Sequence, residues 1–217
     1  VEGSVNITMN GGEINGELFG LGVTVGNSDG CHKIGRTDDP KEESYYYPKD
    51  ALTITLNGGK VDNIVWFYNI RNSLQSKHIP HIYGNVIINI NGGEVGCVYF
   101  GNPEKASPVD VTGYQLPYVN GTMGMELHIT GGTFTNVNQS VWAHSLTSVY
   151  KGQRIYFEND APLSLYRIYN AKSNNNGDQA DIIVDNTAPV QLKNYRYTSS
   201  SYIGNYRGVF YDCGDLD

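Results

Sequence analysis

Glu158 and Asp185 hold matching places in two near-copies of one segment. Paired carboxylates on neighbouring strands are what a glycoside hydrolase needs, one as acid and the other as base or nucleophile, about 5–9.5 Å apart. The same place elsewhere in the chain is taken by Asn or Thr, however, which points to a structural corner. The acidic group Asp38, Asp39, Glu42 and Glu43 could offer carboxylate oxygens to calcium. It lacks the alternate spacing and central Gly of a calcium loop, and Lys33, Lys41 and Lys49 offset it, so a solvated charged loop is expected. His78-Ile79-Pro80-His81 sets two imidazoles three apart, but Pro80 rules out the helical His pair of a zinc site. His32, His128 and His144 have no Ser or Cys partner evident in the sequence, and Cys31-His32 are neighbours only along the chain. Glu13, Glu17, Asp62 and Glu94 are scattered, with no acidic cluster beside a Lys or Arg base such as a calcium-assisted lyase requires. Gly20-Leu21-Gly22 lacks the strand-to-helix context of a phosphate-binding turn. The expectation is a non-catalytic protein with no metal and no cofactor.

Binding residues are easier to nominate than catalytic ones. Tyr45, Tyr46, Tyr47, Tyr114 and Tyr118 lie in two long polar stretches, where aromatic rings give contact area at low entropy cost to a sugar face or a protein partner. The alternative role for these rings is to pin long loops to a scaffold. Asn6, Asn120 and Asn138 open Asn-X-Ser/Thr triplets and are weak glycosylation candidates. Cys31, Cys97 and Cys213 are an odd number and form no metal motif. Cys97 is expected as a small buried residue; Cys31 and Cys213 could be paired or free. A net charge of −7 argues against nucleic acid. No apolar run approaches the roughly 20 residues of a membrane span, and no signal peptide is expected.

The elements that must position these residues come from a repeat. Ile7-Thr8-Met9-Asn10-Gly11-Gly12-Glu13-Ile14 returns as Ile54-Thr55-Leu56-Asn57-Gly58-Gly59-Lys60-Val61, as Ile88-Asn89-Ile90-Asn91-Gly92-Gly93-Glu94-Val95 and as Leu127-His128-Ile129-Thr130-Gly131-Gly132-Thr133-Phe134. Each copy begins with period-two alternation (Val5, Ile7, Met9; Leu52, Ile54, Leu56; Val86, Ile88, Ile90; Met125, Leu127, Ile129), the mark of a strand with one buried face. A Gly-Gly corner follows, then a second strand carrying Leu18-Phe19, Ile64-Val65-Trp66-Phe67, Val98-Tyr99-Phe100 and Val141-Trp142. Two later segments, Ile155 to Leu165 and Ile182 to Leu192, match each other through Ala-Pro corners. Asn10, Asn57, Asn91, Thr130, Glu158 and Asp185 share one slot, with steps of 47, 34, 39, 28 and 27 residues between them. A floor near 27 with irregular excess reads as a constant coil with insertions, entering after Phe19-Gly20, Tyr68, Phe100-Gly101 and Asn170.

The fold expected is all-β: a right-handed parallel β-helix (solenoid) of about six rungs, its insertions gathered on one side. Equivalent residues should stack about 4.8 Å apart. The shared slot then becomes a polar column, and Glu13, Lys60 and Glu94 a minus–plus–minus ladder. Residues 1–217 form a single domain: Gly-Gly rungs over 1–145, Ala-Pro rungs over 146–194 and a closing segment over 195–217. Glu2-Gly3-Ser4-Val5-Asn6-Ile7 already reads as part of a rung, so the expectation is a piece of a longer chain, or a first rung that meets a neighbouring molecule.

Over about residues 1 to 145 the chain resembles bacterial cell-surface β-helix proteins, in which strand, Gly-Gly, Thr, aliphatic, strand and Gly recur. Ile129-Thr130-Gly131-Gly132-Thr133-Phe134 and Ile90-Asn91-Gly92-Gly93-Glu94-Val95-Gly96-Cys97-Val98-Tyr99-Phe100-Gly101 carry the likeness. The resemblance implies an extracellular or surface-displayed, adhesin-like structural protein binding glycan or another surface protein. It transfers no catalytic residue. Two alternatives stand beside it: a carbohydrate-active lyase or hydrolase, and a filament subunit that self-associates end to end.

Overall fold

The computed structural model describes residues 4–24, 33–34, 50–70, 81–82, 85–100, 118–119, 124–143, 153–169 and 180–192. These are strands and turns, with no helix among the described residues. The first sheet takes the alternating strand of each repeat: β1 (Val5–Met9), β4 (Asp50–Leu56), β7 (Asn85–Ile90), β10 (Met125–Ile129), β13 (Gln153–Phe157) and β16 (Asp181–Val184), side by side in that order and all parallel. The strand after the corner goes to a second sheet, ordered β2 (Glu13–Thr24), β5 (Lys60–Ile70), β8 (Glu94–Tyr99), β12 (Val141–Trp142) and β15 (Ile168–Tyr169), with β11 (Thr133–Phe134) also on β8. Spatial order follows chain order in both. A parallel pair β14 (Leu163–Leu165) and β17 (Val190–Leu192) follows the Ala-Pro corners.

Register ties repeat to repeat. Ile7, Ile54, Ile88, Leu127, Ile155 and Ile182 lie opposite one another in succession, as do Met9, Leu56, Ile90, Ile129, Phe157 and Val184. Ile54, Ile88 and Leu127 are fully buried. They join Val61, Ile64, Trp66, Val98 and Val141 of the second sheet, and Phe100 just past β8, in one core. One position breaks the apolar stripe: Gln153 stands in register with Met125, is 3% exposed and donates Nε2 to the Phe100 carbonyl at 2.8 Å. The hydrogen bond is what makes a buried amide tolerable there.

The corners show why two glycines recur. A Cβ on Gly58, Gly92 or Gly131 would lie 2.6–2.7 Å from the carbonyl oxygen of Asn10, Asn57 or Asn91 in the preceding corner. The second glycine of each pair, from Gly12 to Gly132, sits at φ between 76° and 95°, where a side chain is strained. In the Ala-Pro corners a side chain does the work. Buried Asn159 donates Nδ2 to the carbonyls of Ala161 at 2.8 Å and Ala188 at 3.0 Å, and its Oδ1 has no partner among the described residues.

Two expectations need correction. The second-sheet strands do not give way to insertions after Phe19-Gly20 and Tyr68: β2 and β5 continue paired through Leu21↔Phe67 to Thr24↔Ile70. The insertion expected after Phe19-Gly20 is also not loop throughout, since it contains β3 (Lys33–Ile34), which pairs in parallel with β6 (His81–Ile82), and β6 with β9 (Tyr118–Val119). Two-residue strands carry too little alternation to stand out from a polar stretch.

Candidate functional site

Alternation that sends Met125, Leu127 and Ile129 into the core sends Glu126 and His128 outward, and the same rule turns Arg154 and Tyr156 outward on β13. Parallel register then sets Glu126 against Arg154 and His128 against Tyr156. Ring spacing follows strand spacing: the imidazole and phenol stack with centroids 4.5 Å apart and planes 3° from parallel. Glu158, at the corner after β13, reaches back so that its Oε2 lies 2.9 Å from His128 Nδ1. Glu126 Oε2 lies 3.5 Å from Nε2 of the same ring, and Glu126 Oε1 lies 3.6 Å from Arg154 Nη1. Asp181 extends the outer row beside Arg154.

Five side chains therefore form one partly exposed group: a histidine between two carboxylates, stacked on a tyrosine, with an arginine on the outer carboxylate. The imidazolium form would donate from both nitrogens, the neutral ring from one. Such a surface can hydrogen-bond hydroxyls through its carboxylates and hold an anionic group through its guanidinium fork. The placement of Glu158 corrects part of the expected polar column. Its backbone keeps the slot, with Glu158 N donating to Ile129 O at 3.0 Å as Asn57 N does to Met9 O at 2.8 Å. Its side chain leaves the column for His128. The side-chain ladder runs only from Asn10 through Asn57 and Asn91 to Thr130, with bonds of 2.8, 2.9 and 3.0 Å.

A second cluster lies on the face of the second sheet away from the core. Val65, Cys97, Tyr99 and Trp142 are buried there, with Tyr169 packed against them. Trp142 stacks on Tyr169 at 4.1 Å, and the Arg167 guanidinium sits 5.2 Å from the Tyr169 ring centre. Burial pushes the Cys97 thiol well above its ordinary range, so it is an inert packing group.

Of the residues nominated from sequence, Tyr45, Tyr46, Tyr47, Tyr114, Asn120, Cys31 and Cys213 lie outside the described residues, as do His32, His78, His144 and the Asp38–Glu43 group. Tyr118 opens β9, opposite His81. Asn6 is exposed on β1 and Asn138 is exposed in a turn. Asp185 keeps the corner slot through its N–H to Phe157 O at 2.8 Å. Lys60 meets Glu13 at 3.3 Å, and Glu94 is in register on its other side. Among the described residues, no group of three or more His, Cys, Asp or Glu side chains is placed to hold a metal ion.

No family model, curated protein or solved structure matches the chain.

Sequence reasoning missed Glu126, Arg154 and Tyr156. The signal was available: writing Met125-Glu126-Leu127-His128-Ile129 above Gln153-Arg154-Ile155-Tyr156-Phe157 puts the acid over the base and ring over ring.

Proposed function

We propose that the chain is a right-handed parallel β-helix of about six rungs, and that it is a non-catalytic extracellular module holding surface groups for glycan or protein recognition. The supporting observation is where length varies. From the first sheet to the second the corners are tight, as at 10–12, 57–59 and 91–93. From the second sheet back to the first the connections are long, from Thr24 to Asp50, Ile70 to Asn85 and Tyr99 to Met125. Each of these three carries one strand of the small β3–β6–β9 sheet, which sets them side by side. Loops held together on a rigid scaffold are a common carrier of binding. A glycan array probed with the intact chain and with a variant lacking residues 35–49 tests the reading. The expected result is glycan binding by the intact chain, lost in a variant whose melting is unchanged. Equal binding by both would move recognition elsewhere.

One observation favours a second reading, a carbohydrate-active enzyme. Glu126 and Glu158 lie beside Arg154 and His128 on an outer face of adjacent parallel strands, the kind of constellation such chemistry requires. Incubation with acidic and neutral polysaccharides tests it: cleavage abolished by Glu158→Gln would establish an enzyme, and no cleavage of any of them leaves the binding module.

A further inference from the structure

The exposed ladder of asparagines is made of Asn-Gly pairs, the dipeptide most prone to succinimide formation because glycine offers its nitrogen no steric shield. Asn10-Gly11, Asn57-Gly58 and Asn91-Gly92 share a sequence but not an environment. Asn57 donates Nδ2 to Asn10 Oδ1 at 2.8 Å and accepts from Asn91 Nδ2 at 2.9 Å. Asn91 also accepts from Thr130 Oγ1 at 3.0 Å. Both interior amides are thus tied on two sides. Asn10 has the single bond to Asn57, and no acceptor faces its Nδ2 among the described residues. The attacking nitrogens differ in the same sense. Gly58 N and Gly92 N donate to the carbonyls of Met9 at 3.4 Å and Leu56 at 3.2 Å, whereas no acceptor faces Gly11 N among the described residues. Crowding differs too. A Cβ at Gly58 or Gly92 would meet a carbonyl oxygen at 2.7 or 2.6 Å, and one at Gly11 would meet nothing within 4 Å.

We propose that Asn10 is a site of spontaneous deamidation and isoaspartate formation, and that the stacked corners protect Asn57 and Asn91 from the same reaction. Gly11 nitrogen gives its proton to a solvent base and attacks Asn10 Cγ. A Cγ–N bond forms, the Cγ–Nδ2 bond breaks and ammonia leaves with the returned proton. Water then opens either imide C–N bond of the succinimide, giving aspartate or isoaspartate without any redox partner. Asn10, Asn57 and Asn91 each accept one donor at Oδ1, where negative charge grows during attack, so the difference between them lies in the tied Nδ2 groups, the bonded glycine nitrogens and the crowded corners of the two interior sites. Asn57 and Asn91 must break corner bonds to gain the same freedom. A local opening constant of 0.1 or less slows them about tenfold or more.

Peptide mapping by mass spectrometry of the full chain, aged in mildly alkaline buffer, reads each site separately, Asn15-Gly16 included. The expected result is conversion at Asn10 about tenfold or more ahead of Asn57 and Asn91, with the three rates converging in denaturant. Gly11→Ala should suppress conversion at Asn10 while leaving melting unchanged, since the added methyl has open space around it. Equal rates in the folded chain, an unreactive Asn10, rates that stay apart in denaturant, or a Gly11→Ala chain that still converts would each overturn the proposal.

Discussion

At Ile88 the environment allows one kind of side chain. It is fully buried between Ile54 and Leu127, with no polar partner in either direction along the column. Ile88→Asp should abolish folding, because an unpaired carboxylate there costs several kcal/mol against a marginal total. Circular dichroism checks this, and a soluble variant with native melting would refute the stacking of that column. The corner glycines make a sharper test, since the same substitution should have opposite outcomes. Gly92→Ala drives a methyl to 2.6 Å from the Asn57 carbonyl, while Gly11→Ala meets nothing within 4 Å. The first should lower stability by about 1–3 kcal/mol and the second by less than about 0.5 kcal/mol, both read from denaturant midpoints. His128 is the residue whose surroundings the sequence hid. Glu126 is on its own strand, but Tyr156 and Glu158 come from β13 and the corner after it, about 30 residues further along the chain.

Between elements, register turns short-range pattern into long-range contact. The corner after each first-sheet strand places Glu13, Lys60 and Glu94 in one row. Lys60 and Glu13 are each about half exposed, 50% and 53%, so water screens their attraction. Lys60→Glu makes the row three like charges and should cost about 0.5–1 kcal/mol, with salt recovering part of the loss. Melting at low and high ionic strength measures it; a salt-independent loss would mean the row acts through packing. The alternation of β4, β7 and β10 was readable, since each apolar stripe closes within one strand. The continuation of β2 and β5 to Thr24 and Ile70 was not. Gly20, Gly22 and the polar residues beyond look like loop until the partner strand supplies the hydrogen bonds.

For the molecule as a whole, each described strand of the main sheets takes its partners from the adjacent repeats. On the proposed β-helix reading, stability is close to a sum of neighbour terms. Ending the chain before Ala180 removes β16 and β17 and bares the edges of β13 and β14. The remaining repeats should still fold, at a lower melting temperature and with greater tendency to associate through the bared edge. Loss of all ordered structure would show that the stack folds only as one indivisible unit.

The sequence by itself determined the alternating first-sheet strands, the corners and the inward columns, because two-residue alternation and a Gly-Gly pair act over a few residues and four copies agree. It also marked the shared slot, whose backbone pattern holds from Asn10 to Asp185. Only the tertiary structure decided what the outward side chains do. The slot does not tell whether Glu158 continues the amide ladder or turns to His128, because its side chain has competing partners brought near by register. The same is true of Glu126 and Arg154: they are 28 residues apart in the chain, and only the pairing of β10 with β13 makes them neighbours.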